Sequence, residues 1–233
     1  MALPLLDLPR LDLVVTTREL AAYARQAWLL RHDVNEPVLP ARTRPGDHVV
    51  VCLHGLFATA GVLRPLRQRL ERHRSIHTAS LTYPVGPGVP ALARRLGELL
   101  HILPSDVHLH LLGHSVGGVV ARYYAQLIGD RRIVQTLSMA APFSGVPIAS
   151  RLPVQVARDL HPRSMLLREL RLASPRVPHH SLIADSDRVL DAPLSHALPG
   201  ADVTVIPRCG HNMLLYDDRA AAIVERTVLA KVA

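Results

Sequence analysis

The chain predicts an α/β fold, a mostly parallel central sheet flanked by helices, and three observations predict it. His48-Val-Val-Val-Cys-Leu53 is too uniformly apolar to keep one face wet, which marks a parallel strand covered on both sides. A second, largely apolar run, Val107 to Leu112, leads into Gly113-His114-Ser115-Val116-Gly117. Each run is followed by a glycine-bearing turn and then by a helix-patterned segment, 61–73 after the first and Val116 to Ile128 after the second.

The second turn carries the most specific signal. A five-residue G-x-S-x-G pattern arises by chance in many proteins, but between a strand and a helix it is the signature of a nucleophile elbow. A serine at so sharp a turn sits in strained backbone, and glycines beside it let strand and helix cross closely while the hydroxyl stands above the sheet. Gly113, Gly117 and Gly118 supply that clearance.

Further along, Leu182-Ile-Ala184 is a short apolar run ending in Asp185-Ser-Asp187, and Ala201-Asp-Val-Thr-Val-Ile206 alternates as a strand does. Pro207-Arg-Cys-Gly210 then delivers His211, and a helix from about Met213 to Lys231 closes the chain. The segment 144–178 is the one insertion with room to shape a pocket. It holds two short helix-like pieces, Leu152 to Leu160 and Ser164 to Leu172, of which Leu166, Leu167 and Leu170 are either core or the lining of an acyl cleft.

Four stretches carry a resemblance to a known family: Leu53-His-Gly-Leu56, Leu112-Gly-His-Ser-Val-Gly-Gly-Val-Val-Ala-Arg122, Ala141-Pro-Phe-Ser-Gly145 and Arg208-Cys-Gly-His-Asn212. Over about residues 46 to 230 the chain resembles the α/β hydrolases, most closely their small bacterial lipases and esterases. It departs from those lipases at Phe143, where Pro-His-x-Gly is common.

The resemblance implies a catalytic order of serine, acid and histidine along the chain. Ser115 is then the nucleophile and His211 the base. Asp185 and Asp187 both stand at a strand end, where sites gather in parallel sheets. Asp187 is preferred because Val189-Leu190 follows it, as branched apolar residues follow the acid in the family, and Asp185 competes. The resemblance also implies an oxyanion hole made by the backbone N–H groups of Leu56 and Val116. Phe57, His114 and Phe143, next to these elements, are the expected substrate contacts. The chemistry is attack on a carboxylic ester with proton transfer through His211, without metal or organic cofactor. Thioester cleavage, acyl transfer and amide hydrolysis use the same constellation, and a silent binding protein on the same fold is the alternative of another class.

The remaining histidines have other readings. His54 and His114 tune the backbone of their loops, and His196 comes too soon after Asp187 to have crossed another strand. His108 and His110 share a strand face, a weak metal signal without a third ligand. His179-His180 reads as a surface pair at a strand entry.

Composition bounds the rest. At 233 residues a large lid domain is excluded. The formal net charge is +8, but the basic residues are scattered and aromatics make up only 3%, which argues against nucleic acid as a partner and leaves a small ester or lipid substrate. Cys52 and Cys209 make no disulfide framework, and with no secretory signal or membrane span the expected location is the cytoplasm.

Residues 1–45 read as an extension before a catalytic domain of residues 46–233. Thr16-Thr-Arg-Glu19 has capping-box spacing and opens an amphipathic helix, with Leu20, Tyr23, Ala24, Ala27 and Trp28 on the face expected to pack on the body. Weak contact with a membrane surface is the alternative for this helix, since Arg18, Arg25 and Arg31 flank the stripe. The proline-bearing linker 37–47 follows it.

Overall fold

The two apolar runs lie side by side, second and third from one edge, in a six-stranded, all-parallel sheet. The structure, a computed structural model, describes residues 12–147 and 152–232. Its strands are β1 (His48–Leu53), β2 (Ile76–Ser80), β3 (His108–His114), β4 (Ile133–Met139), β5 (His179–Ala184) and β6 (Asp202–Ile206), in the order β2-β1-β3-β4-β5-β6. β1 is buried along its whole length, as its composition requires, whereas the edge strand β6 leaves most of its residues open.

From β1 the chain moves outward to β2, returns across β1 to β3, and then proceeds the other way. The carboxyl ends of β1 and β3 are thus the point where crossovers diverge, the crevice in which open α/β sheets hold their sites. Leu53 pairs with Gly113 across that point, so the loops after both strands meet.

Among the described residues seven helices flank the sheet: α1 (Leu13–Leu29), α2 (Arg64–Leu70), α3 (Val89–Ile102), α4 (Val116–Tyr123), α5 (Gln155–Asp159), α6 (Met165–Leu172) and α7 (Asp218–Leu229). Right-handed crossovers put α3 and α4 on one face and α2 on the other. α3 packs on α4, while α2 meets α7, where Arg69 Nε donates to Glu225 Oε2 at 2.9 Å.

Several expectations are corrected. The closing helix is divided: a short turn at Met213–Leu215 precedes α7, because Asp217 accepts the N–H of Arg219 and starts a new helix. The segment after Tyr123 widens into one π-helical turn, Tyr124–Ile128, ended by Gly129. β2, α3 and β4 were not anticipated, β4 because Gln135, Thr136 and Ser138 break its apolar run. Those polar groups are buried and answered from within. His179, expected at the surface, is buried between β4 and β5, with Nδ1 2.7 Å from Thr136 Oγ1 and Nε2 3.1 Å from Ser138 Oγ.

The N-terminal helix turns the opposite face inward from the one its apolar content suggests. It begins one turn earlier than the capping-box spacing implies, with Asp12 accepting the N–H groups of Val14 and Val15. Val15, Ala22 and Leu29, at heptad spacing, join the core, while Leu20, Tyr23 and Trp28 face out at 63%, 45% and 57% exposure. The inward stripe is interrupted by Glu19 and Gln26, which hides it from a reading based on apolar content. The linker after α1 adds one antiparallel bridge, Val38 to Ser80, along β2.

Candidate active site

The elbow is built as its glycines require. β3 ends at His114 and α4 begins at Val116, leaving Ser115 between them at φ 53°, ψ −126°. That region costs a non-glycine residue about 1–3 kcal/mol and persists where the surroundings enforce it. Here the N–H of Ser115 donates to Met139 O at 2.8 Å. A methyl group on Gly113 would lie 2.1 Å from the backbone of Gly117, and one on Gly117 would lie 2.4 Å from Leu53 O, so neither position admits a side chain.

Opposite the elbow, the loop after β1 is fixed by His54. Its Nε2 accepts the N–H of Tyr83 at 3.2 Å, so the ring proton is on Nδ1, which donates to Gly55 O at 2.7 Å. Burial drives the pKa of His54 down to about 4 and keeps this neutral tautomer. The Tyr83 ring stacks on it at 3.9 Å, and the Tyr83 hydroxyl donates to His54 O. In a planar trans peptide the carbonyl of Gly55 and the N–H of Leu56 point in opposite directions. Holding one therefore aims the other. Phe57 follows at φ 57°, 62% exposed at the cleft mouth.

The loops after β5 and β6 bring an acid and a histidine together. His211 Nδ1 lies 2.7 Å from Asp187 Oδ2, and Asp187 Oδ1 accepts the N–H groups of Val189 and Leu190 at 2.8 and 2.9 Å. Burial alone would raise the Asp187 pKa, but the bond from His211 and the two backbone donors outweigh it, so the carboxyl sits below its ordinary value. Asp185 faces elsewhere: its Oδ1 accepts from Ser186 Oγ at 2.8 Å and from the Cys209 N–H at 3.3 Å.

Ser115, Val116, Leu56, Phe57, His114 and His211 border a single cleft of about 320 Å³. His114 is buried in its wall and donates from Nε2 to His211 O at 3.1 Å. Burial, with His211 nearby, pushes its pKa down to about 3. The apolar walls come from Pro142, Val146, Leu152 and Leu160. Phe143, expected to touch substrate, is instead fully buried edge-on against His179, because the chain turns after Pro142 and leaves the proline facing the cleft. Leu167 and Leu170 are core as well.

Sequence reasoning missed the part played by α1. Tyr23 and Gln26 line the cleft, and the Glu19 carboxylate accepts the N–H groups of Asn212 and Met213 at 2.9 and 3.0 Å, directly after His211. The interrupted stripe is the available signal, since a carboxylate on an inward face, as Glu19 is, must find partners. Of His108 and His110, considered for a metal, His110 is hydrogen-bonded to His48 at 2.8 Å and to Gln135 at 2.8 Å. Among the described residues no helix is long and apolar enough to cross a membrane.

No protein-family model matches the chain, and no curated protein matches it in sequence. Solved structures do match. A lipase B from Aspergillus fumigatus superposes with a TM-score of 0.65 at 16% identity over 81% of this chain, which spans 55% of that one, about half its length. The Bacillus licheniformis lipase BlEst2 gives 0.65 at 11% identity, covering 83% of this chain and 97% of that one. The thioesterase domain of a curacin biosynthetic pathway gives 0.58 at 16%, over 80% and 92%. Identities this low establish a shared fold and leave the chemistry to the residues.

Proposed function

We propose that this chain, an α/β hydrolase by fold, is a serine carboxylic-ester hydrolase acting through Ser115, His211 and Asp187. The observation that carries the proposal is the strained Ser115 facing the same cleft as His211, with Asp187 2.7 Å from the far side of that imidazole. Lipases, esterases and a thioesterase among the solved structures of this fold support the same class of chemistry.

In the first half-reaction Ser115 Oγ bonds to the ester carbonyl carbon as its proton passes to His211 Nε2. The carbonyl oxygen takes the negative charge, held by the N–H groups of Leu56 and Val116, each such donor being worth roughly 3 kcal/mol. Asp187 fixes the tautomer of His211 and offsets its transient positive charge. The bond to the alcohol oxygen then breaks as Nε2 returns the proton to it, leaving an acyl-serine. Water then attacks the acyl carbon as its proton passes to His211 Nε2, and the bond to Ser115 Oγ breaks as that proton returns to Oγ, releasing the acid and restoring the serine.

The substrate is a small ester or lipid with a short to medium acyl chain, matched to the modest volume of the cleft. The two free cysteines, both buried, suit a reducing compartment such as the cytoplasm. A second reading, weak contact of α1 with an anionic lipid surface, is favoured by its outward apolar stripe, beside which Arg31 lies 4.1 Å over Trp28.

A series of p-nitrophenyl esters of increasing acyl length tests the function. Hydrolysis with a maximum at short to medium chains is expected. No turnover of any member, or a maximum at long chains with a jump above substrate solubility, contradicts it.

A further inference from the structure

A second cavity, of about 260 Å³, lies between α1 and the loops that carry Asp187 and His211. We propose that it receives the alcohol half of the ester, so that α1 is a wall of the active site and sets leaving-group selectivity. This rests on the reading of Ser115, Asp187 and His211 as a hydrolytic triad.

The argument is one of chemistry and position. During attack the acyl carbon is bonded to Ser115 and its oxygen is turned toward Leu56 and Val116, so the acyl chain occupies the cleft that those groups border. The alcohol oxygen must instead stand within reach of the imidazole that protonates it. The second cavity is bordered by His211 but by none of Ser115, Leu56 and Val116, and it meets the first along His211, Tyr23 and Val189. Opening on the first cleft beside His211 without reaching the groups that hold the acyl carbon and its oxygen, it is the space suited to the leaving group.

Its α1 wall is held in register with the chemistry. The Glu19 carboxylate binds the two N–H groups that follow His211, and Arg188 reaches from the acid loop to Thr16 Oγ1 at 3.2 Å. Val15, Leu20, Tyr23 and Val189 make the lining predominantly apolar. An apolar pocket of this size is filled by an aryl or branched alcohol and wasted on methanol.

The test compares acetate esters of methanol, benzyl alcohol and naphthylmethanol, which share one acyl-enzyme and differ only in the leaving group. Two variants narrow the cavity from α1: Leu20→Trp, at a position 63% exposed and free to change without repacking the core, and Thr16→Phe one turn away. Wild-type kcat/KM should rise with alcohol size. Each variant should lower kcat/KM for the naphthylmethyl ester relative to the methyl ester by about tenfold or more, the scale on which pocket fit discriminates. Both should still be labelled at Ser115 by a fluorophosphonate, whose fluoride leaving group needs no pocket. A size preference that neither substitution moves, with labelling intact, overturns the alcohol pocket and leaves the triad standing. A wild-type protein that neither hydrolyses the esters nor takes the label overturns both.

Discussion

Buried histidines gather at both ends of the sheet, and their partners differ in kind. At the carboxyl end His211 Nδ1 faces the carboxylate of Asp187 at 2.7 Å. At the amino end His48 Nδ1 faces His110 Nε2 at 2.8 Å, His110 Nδ1 faces Gln135 Nε2 at 2.8 Å, and Gln135 donates onward to Thr227 O at 3.0 Å. Gln135 Nε2 can only donate, so His110 accepts there and passes its own proton to His48. Burial, with His48 beside it, drives the pKa of His110 down to about 3, and burial lowers that of His48 too. A carboxylate partner lets a buried imidazole accept a proton during a reaction. A chain of neutral partners makes it a structural connector that resists charge. Residue type does not mark a site; the partner does.

The comparison is broken most severely at the carboxyl end. Ser115→Ala and His211→Ala should each lower ester hydrolysis by roughly 10⁴-fold or more, and the double variant should fall no further, since the members act as a unit. Thermal melts should show both single variants folded. Asp187→Asn should lower kcat by roughly 10⁴-fold by favouring the wrong tautomer of His211, the effect known for the serine-protease triad. Asp185→Asn, on the same loop, should stay within about tenfold, because it loses only local bonds to Ser186 and Cys209. The opposite ranking would move the acid to Asp185.

At the amino end the effects fall on stability. His110 and His179, with pKa values near 3, are neutral in the fold and titrate at about 6.5 once unfolded. Below about pH 6.5 the unfolded chain therefore binds more protons, so stability is full above that pH and declines as pH falls toward 4. Urea unfolding followed from pH 8 to 4 should show that decline, and a midpoint that rises on acidification contradicts it. His110→Leu should cost about 1–3 kcal/mol by leaving His48 and Gln135 without that partner in a dry interior. Its urea midpoint should drop while kcat is unchanged, whereas a loss of activity without loss of stability would assign this end of the sheet a part in the chemistry.

What the sequence made legible follows from where local rules suffice. The apolar runs of β1 and β3 and the glycines around Ser115 answer to local sterics, so strand, elbow and helix were readable residue by residue. His211 was reachable from chain order and the loop before it. Asp185 and Asp187 were not separable, because they sit two residues apart on one loop and only the tertiary fold decides which carboxylate meets the imidazole. Phe143 was misplaced for a similar reason, since one turn of backbone exchanges it with Pro142 at the cleft. α1 was read with the wrong face inward because apolar content favours the stripe of Leu20, Tyr23 and Trp28, while Glu19 on the true inner stripe finds its partners only in the distant N–H groups of Asn212 and Met213. His179 likewise looked like a surface residue until Thr136 and Ser138 of β4 stood beside it.

The central claim, that Ser115 is activated by an imidazole with a carboxylate behind it, is tested most directly by mass spectrometry after reaction with a fluorophosphonate. The account predicts a single adduct on Ser115 that forms at the wild-type rate in His110→Leu and is abolished in His211→Ala. An adduct that is absent from the wild type, sits on another residue, or forms as fast in His211→Ala would contradict it.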